Sequence, residues 1–312
     1  MDGEKPASLK FRHPDVTANG EARAAVSFTG LDTLWVNTGT LCNVECKHCY
    51  IESSPSNDQL VYLTAADLAP FLAEAKEMGA REIGFTGGEP FMNPEMAAMA
   101  EAALTFGFET LILTNAMKPM MRPRIQENLL NLNRRFGERL CMRVSLDHYT
   151  VAGHDGERGP GAFDAGIAGL KWLSDNRFHM TVAGRMLTGE DEQTLREGFA
   201  RLFADYDIAI SATDPAQLVI FPEMDPVKDV PEITASCWSI LGKDPKDVMC
   251  ANSRMLVKRK GAEKPVVLSC TLLPYDAQFE MGANLAEAAA PVKLNHPFCA
   301  QFCVLGGASC SG

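Results

Sequence analysis

From about residue 31 to residue 224, short runs of β-branched and apolar residues alternate with longer stretches of helical spacing. The short runs place strands at Thr33 to Thr38, Arg81 to Phe85, Thr110 to Thr114, Cys141 to Leu146, His179 to Leu187 and Gln217 to Phe221. One intervening helix is well punctuated, with Asn93 as N-cap, Pro94 at the first helical position, Met96, Met99, Ala100 and Ala103 on one face, and Gly107 as terminator. A second runs from Thr64 to Met78, with Leu68, Phe71, Leu72, Ala75 and Met78 at helical spacing and Thr64 and Asp67 as the start signal. Pro70 lies inside it, which predicts a bend or a later start. Six strand-then-helix units imply an α/β fold with a parallel sheet, whose ligands gather at the C-terminal ends of the strands.

From about Pro226 the helical periodicity gives way to Pro, Asp and Lys. The segment Cys250 to Cys270 then reads as two alternating strands flanking a hairpin turn at Lys258 to Lys264. Residues 1–30 are polar and patternless, an arm that packs on the strand-and-helix region or stays loose. The expected division is therefore 1–30, 31–225 and a small α+β unit at 226–312. A chain of 312 residues, 46% hydrophobic, is long enough to bury a full α/β core. Net charge is −11 and the one basic run, Lys258-Arg259-Lys260, sits in the turn, so nucleic acid is a poor partner. Ten cysteines without a signal peptide, and no apolar run near about 18 residues, point to a cytoplasmic protein without membrane spans. Its thiols then serve as metal ligands in preference to disulfides.

The sharpest chemical signal is Cys42-x3-Cys46-x2-Cys49 in LCNVECKHCY, directly after the first strand. Three thiolates at this spacing can hold three irons of a [4Fe–4S] cube and leave the last iron open. Zinc is the alternative on this run alone, with His48 as nominal fourth ligand, although His48 sits inside the tight Cys46 to Cys49 loop. The second signal is REIGFTGGEP, in which Gly87, Gly88, Glu89 and Pro90 follow a buried strand. Two glycines let the backbone pass close to a ligand, and Glu89 supplies a carboxylate for a cationic amine. An ordinary Gly-rich βα turn is the plain alternative.

Together, and in this order, the two motifs resemble the signature of the radical S-adenosylmethionine (SAM) superfamily. The resemblance implies a partial (β/α)6 TIM-like barrel, with SAM chelating the open iron and the GGEP turn binding its amino group. It also makes Asn115 a cofactor contact, in a Thr114-Asn115 turn where Ala116 replaces the usual Gly. Ser145 and Asp147, in RVSLDHY, look like the pair that binds the ribose hydroxyls. His148 stands where Gly is usual, and is expected to shape or enter the substrate pocket. HDGERGPGAF resembles a loop of the peptide-modifying branch; its Arg158 either neutralises a carboxylate or is solvated. Arg185 projects from a barrel strand and needs an anionic partner, either the SAM carboxylate or an inter-strand carboxylate. Leu218 to Pro222 is expected beside adenine. His13, His179 and His296 are read as structural or surface residues, and Cys141 as a small hydrophobe.

The second half of the chain concentrates Cys237, Cys250, Cys270, Cys299, Cys303 and Cys310. The hairpin bounded by Cys250 and Cys270, followed by Cys299-x3-Cys303, resembles the twitch and SPASM domains that hold auxiliary [4Fe–4S] clusters. Two fully ligated cubanes call for about eight thiolates, so one auxiliary cluster is expected. Its ligands are expected to be Cys250, Cys270, Cys299 and Cys303, with Cys310 the rival for the last place and Cys237 ambiguous. The implied activity is reductive cleavage of SAM to a 5′-deoxyadenosyl radical that abstracts hydrogen from a peptide or a small molecule. A flavodoxin or ferredoxin is the implied reductant. A non-enzymatic iron–sulfur carrier or cluster scaffold is the rival reading, but it has no use for GGEP, Ser145, Asp147 and Arg185 at successive strand ends. The residues before the barrel show no peptide-recognition domain, which weakens the peptide reading, and no substrate-side acid or base is identifiable.

Overall fold

The computed structural model describes residues 10–187, 189–225 and 227–308. After a two-residue strand β1 (Ala25–Val26) come β2 (Thr33–Asn37), α1 (Ala65–Glu77), β3 (Glu82–Thr86), α2 (Met96–Phe106) and β4 (Glu109–Thr114). The chain continues through α3 (Pro123–Phe136), β5 (Leu140–Ser145), α4 (Val151–Arg158), α5 (Ala162–Asp175), β6 (His179–Arg185), α6 (Glu192–Asp205) and β7 (Leu218–Phe221). Each strand from β2 to β7 pairs parallel with the next. Parallel pairing requires crossovers, and here the crossover helices bury one face of the sheet. Leu34 and Val36 of β2 pack there with Leu68, Phe71 and Leu72 of α1 and Met96 and Met99 of α2. Trp35, between them, turns to the other face and packs with Leu111 and Met255.

The helix starts differ in detail from expectation. Thr64 caps α1 in a full capping box with Asp67, and the helix begins at Ala65 with Pro70 inside it, so no later start occurs. The reciprocal cap and the buried stripe Leu68, Phe71, Leu72 and Ala75 outweigh the hydrogen bond that Pro70 removes. α2 begins at Met96, not at Pro94, and the turn before it is held by Asn93, whose Oδ1 accepts the Glu95 amide at 2.9 Å. Its Nδ2 donates to the carbonyls of Thr38 (3.0 Å) and Leu63 (2.8 Å), tying the two loops that follow β2 and β3. Gly107 ends α2 in the left-handed conformation, as its sequence position implied.

Past residue 226 the chain forms α7 (Cys237–Leu241), β8 (Ser253–Val257), β9 (Val266–Leu268), β10 (Glu280–Gly282) and β11 (Val292–Lys293). The change of pattern does not mark a separate sheet. β8 pairs parallel with β2, and β9 and β10 follow antiparallel, giving the order β10-β9-β8-β2-β3-β4-β5-β6-β7. Among the described residues the barrel is open, since β10 and β7 do not pair. A π-helical turn, Cys299–Val304, spans that opening: Phe302 stacks on Phe221 of β7 at 5.6 Å and meets Tyr50 edge-on at 6.0 Å. The described part of the N-terminal arm packs on this C-terminal segment, and its Phe28 also packs against the barrel core. Buried Arg23 pairs with Glu232 at 2.5 Å, and β1 pairs with β11. Among the described residues, no helix is long and apolar enough to cross a membrane.

Gly84, in the middle of β3, is required by Trp35: a Cβ there would lie 2.5 Å from the indole ring. Gly84→Ala is therefore expected to lower stability by about 1–3 kcal/mol through overpacking. Urea unfolding of the variant checks this, and a midpoint equal to wild type would mean that the indole relocates freely.

Candidate functional site

The loop after β2 and the turn after β3 are joined backbone to backbone. The Gly88 amide donates to the Gly39 carbonyl (2.8 Å) and the Glu89 amide to the Leu41 carbonyl (3.1 Å), one residue before Cys42. A Cβ on Gly88 would sit 2.1 Å from the Leu41 oxygen, and Gly87 has φ +141°. The glycines thus admit a neighbouring loop of the chain itself, a role their spacing alone did not distinguish from admitting a ligand.

Beside this junction lies a cavity of about 190 Å³. Cys42, Cys46 and Cys49 line it from the loop after β2, Gly87 and Gly88 from β3, Asn115 from β4, Ser145 and Asp147 from β5, and Arg185 from β6. Phe221 of β7 and Arg158 of α4 also reach it. Burial pushes the Cys42 thiol up to about 12 and raises Cys46 as well.

Glu89 stands behind this wall and is buried. Its carboxylate accepts from the Thr114 hydroxyl (2.8 Å), the Asn115 amide (2.8 Å) and the Phe91 amide (3.2 Å). Burial raises its carboxyl above the ordinary value, while these donors oppose the rise. Asn115 Nδ2 donates to Asn43 Oδ1 at 2.9 Å, linking the β4 end to the cysteine loop. Ala116 adopts a left-handed φ of +56°, the conformation for which glycine would be the unstrained choice.

Arg158 is not solvated. Its guanidinium makes a two-pronged pair with Asp147, Nε to Oδ2 at 2.6 Å and Nη2 to Oδ1 at 2.9 Å. His154 holds the backbone of the same residue: its Nδ1 accepts the Asp147 amide at 3.1 Å, and burial pushes the imidazole down to about 4. Arg185 takes the inter-strand reading in this structure, with Nη2 donating to both oxygens of Glu223 (3.0 and 2.9 Å) and Nη1 3.6 Å from Glu157. Its face covers Tyr50 at 4.9 Å, and its Nε is buried without a hydrogen-bond partner. His48 does not turn toward the thiols as a fourth ligand; its Nδ1 meets Glu157 at 2.8 Å.

His148 is a correction. It does not line the cavity but packs on Gly153, stacks on Tyr149 at 4.3 Å and bonds Thr150 through Nδ1. Gly153 leaves a slot for the ring, since a Cβ there would lie 2.5 Å from it, so the imidazole is drawn away from the strand ends.

Cys250, Cys270, Cys299 and Cys303 converge on a second, smaller cavity, whose other walls include Val248, Leu272, Phe279 and Phe298. Burial pushes the Cys250 thiol up to about 11 and also raises Cys299 well above its ordinary value, with Cys270 and Cys250 adding to the effect at Cys299. Soft thiol donors in an apolar wall fit an iron–sulfur cluster. Cys237 lies apart, its sulfur accepting the Thr234 amide at 3.3 Å. Cys310 lies outside the described residues. Cys141 packs beside the Trp35 cluster, as a small hydrophobe would. Leu272 lines both cavities, and Phe302, between Cys299 and Cys303, lines the first, so the two sites share a wall.

Sequence reasoning missed Tyr50, Glu157, Glu223 and Phe302. Tyr50 follows Cys49 and Glu157 precedes Arg158, so adjacency to a motif was the available signal. Nothing local marks Glu223 as the partner of Arg185.

The family model described as Radical SAM superfamily matches residues 36–201. An AdoMet-dependent heme synthase of Methanosarcina barkeri is 31% identical over 133 residues, 42% of this chain and 36% of that protein. The antilisterial bacteriocin subtilosin biosynthesis protein AlbA of Bacillus subtilis is 29% identical over 146 residues, 46% of this chain and 30% of that protein. The matched region thus spans about a third of the length of these curated relatives. Among solved structures, Streptococcus suis SuiB bound to S-adenosylmethionine superposes with TM-score 0.58 at 15% identity, over 82% of this chain and 64% of that one. AnSMEcpe with bound AdoMet gives 0.58 at 12% identity, over 82% of this chain and 79% of that one. These likenesses show the fold.

The Arg158–Asp147 pair has a testable energetic consequence. Burial alone would raise the Asp147 carboxyl; Arg158 reverses this and holds it below 3.8. Its contribution is therefore complete above that pH and is lost as pH falls through the lower, folded value. In Arg158→Met the carboxylate stays buried and unpaired, which costs about 3–5 kcal/mol. The folded-state carboxyl then lies above its unfolded value, so the variant should lose stability as pH rises from about 4. Urea unfolding at pH 5 and pH 8 checks the sign, and a variant as stable as wild type at both would show the pair to be solvated.

Proposed function

The chain belongs to the radical SAM superfamily, and from that premise we propose that it cleaves S-adenosylmethionine reductively and directs the resulting 5′-deoxyadenosyl radical onto a peptide. The observation that carries the reading is the convergence on one cavity of Cys42, Cys46, Cys49, Gly87, Gly88, Asn115, Ser145, Asp147 and Arg185, from five successive strand ends. When bound, the [4Fe–4S] cluster and SAM supply an electron and a radical that abstracts hydrogen. The protein's own residues bind, orient and enclose. Cys42, Cys46 and Cys49 would hold the cluster through three thiolates. Asp147, held ionised by Arg158, and Ser145 present acceptors to the ribose diol. Glu89 places a negative charge behind the glycine turn, toward the SAM ammonium. The unpartnered Nε of Arg185 is a buried donor suited to the SAM carboxylate.

In this reading residues 31–225 form the catalytic barrel and 226–312 the auxiliary segment, with Cys250, Cys270, Cys299 and Cys303 holding one further [4Fe–4S] cluster. A peptide substrate is supported by SuiB, solved with its precursor peptide SuiA, and by AlbA, which acts in bacteriocin biosynthesis. A flavodoxin or ferredoxin is the reductant of choice, and thiolate-bound clusters suit a reducing, cytoplasmic setting.

Anaerobic reconstitution should load about eight irons, and a Cys42/Cys46/Cys49 triple Ala variant about four, with SAM cleavage abolished. One equivalent of zinc and no iron would overturn the cluster reading.

Glu89→Gln removes the charge and turns an amide donor against either the Asn115 amide or the Phe91 amide and Thr114 hydroxyl, which bond different carboxylate oxygens. SAM affinity on the reconstituted protein is expected to fall roughly 10- to 150-fold at full iron content. Equilibrium dialysis measures it, and unchanged affinity would assign Glu89 a purely structural role.

A further inference from the structure

Arg254 lies on β8, four positions after Cys250, with 1% of its surface exposed. Its guanidinium is held by carbonyls alone. Nε donates to Ala288 (2.7 Å), Nη1 to Cys250 and Ser253 (both 2.7 Å), and Nη2 to Ala290 (3.1 Å). The ring of Phe28 covers it at 4.4 Å. Among the described residues no carboxylate stands within ion-pair distance of it. The buried Arg23 and Arg185 and the half-buried Arg158 each have one.

Carbonyl dipoles satisfy the hydrogen-bond donors but do not cancel a full charge, and an unmatched buried charge is costly. Burial lowers the guanidinium to about 10, so it remains a cation at neutral pH. The nearest chemistry able to balance it is on its own hydrogen-bond chain. Nη1 grips the carbonyl of Cys250, whose thiol faces the second cavity with Cys270, Cys299 and Cys303. Four thiolates around an iron–sulfur cluster carry net negative charge, which grows by one on reduction. The cluster's potential responds to nearby charge and burial.

We propose that Arg254 is the built-in counter-cation of the auxiliary cluster: it offsets the charge of a cluster held by Cys250, Cys270, Cys299 and Cys303 and raises its reduction potential. The inference rests on the auxiliary-cluster reading above. A fork of donors is needed because several carbonyls must be held at once, which an ammonium serves less well. Its consequence is functional direction: a raised potential makes the auxiliary cluster the better acceptor for an electron left on substrate.

The test is a redox titration followed by electron paramagnetic resonance on fully reconstituted protein. Arg254→Met should lower the auxiliary midpoint by a tenfold or greater change in the reduction equilibrium, about 59 mV for one electron. The signal of the cluster on Cys42, Cys46 and Cys49 should stay in place. Arg254→Lys, which keeps the charge, should remain close to wild type. An unmoved auxiliary midpoint in Arg254→Met at full iron content overturns the proposal, and so does a Lys variant that falls as far as the Met variant. Where Arg254→Met does not fold, Arg254→Gln, which retains two donors for the carbonyls, carries the same expectation. Cluster loading should also raise Tm more in wild type than in the neutral variant, because only wild type has a buried charge for the cluster to balance. Equal gains overturn the proposal. Wild type that takes up about four irons instead of eight overturns the underlying auxiliary-cluster reading, and is told apart from the other outcomes by the iron assay alone.

Discussion

Gly88 donates to the Gly39 carbonyl and Glu89 to the Leu41 carbonyl, so the loops that end two adjacent parallel strands are stitched together by main chain. The parallel register of β2 and β3, with Asn37 opposite Thr86, delivers the two loops to the same level. With a hydrogen in place of Cβ at Gly88, the backbones close to a distance no other residue allows. Cys42 follows directly, and Asn115 then ties the end of β4 to Asn43. Three strand ends are thereby held as one unit before any cofactor is considered, which is how a site gains positional accuracy without ligand energy.

Charge is distributed against the grain of the whole chain. Net charge is −11, yet half-buried Arg158 and buried Arg185 and Arg254 stand at or beside the two groups of thiols. Each is accommodated differently: Arg158 by a two-pronged carboxylate, Arg185 by Glu223 with Tyr50 beneath it, Arg254 by carbonyls. The first two are matched within the protein. The third is left as a cation beside cysteines, and it is the one that most resembles a prepared partner for an anionic group.

The two cavities are neighbours because the barrel is open. A π-helical turn crosses the opening, carries Cys299 and Cys303 to one cavity, and presents Phe302 to the other. Phe302 contacts both Phe221 and Tyr50, so the wall between the sites is aromatic. A substrate in the first cavity therefore lies within one side-chain layer of the second.

The six strands of the first region, their parallel sheet, both cysteine groups and the glycine turn were legible because each is written locally. Periodicity, caps and ligand spacing act over a few residues and survive without knowledge of the rest of the chain. Asn93 shows the limit: its sequence setting reads as a cap and its Oδ1 does accept the Glu95 amide, but its Nδ2 also bonds two carbonyls of the loop after β2, a use that no local signal marks. His148 shows it again, as the slot at Gly153 turns it from the pocket its position suggested. The domain break at residue 225 was read from a real change of pattern, but β8 finds its partner in β2, more than half the chain earlier. The sequence by itself determined which residue types could do the chemistry and on which strand ends they stand. Only the tertiary structure decided which charges meet, pairing Arg158 with Asp147, Arg185 with Glu223 and leaving Arg254 to carbonyls, because those distances depend on strand register and loop packing between segments remote in sequence.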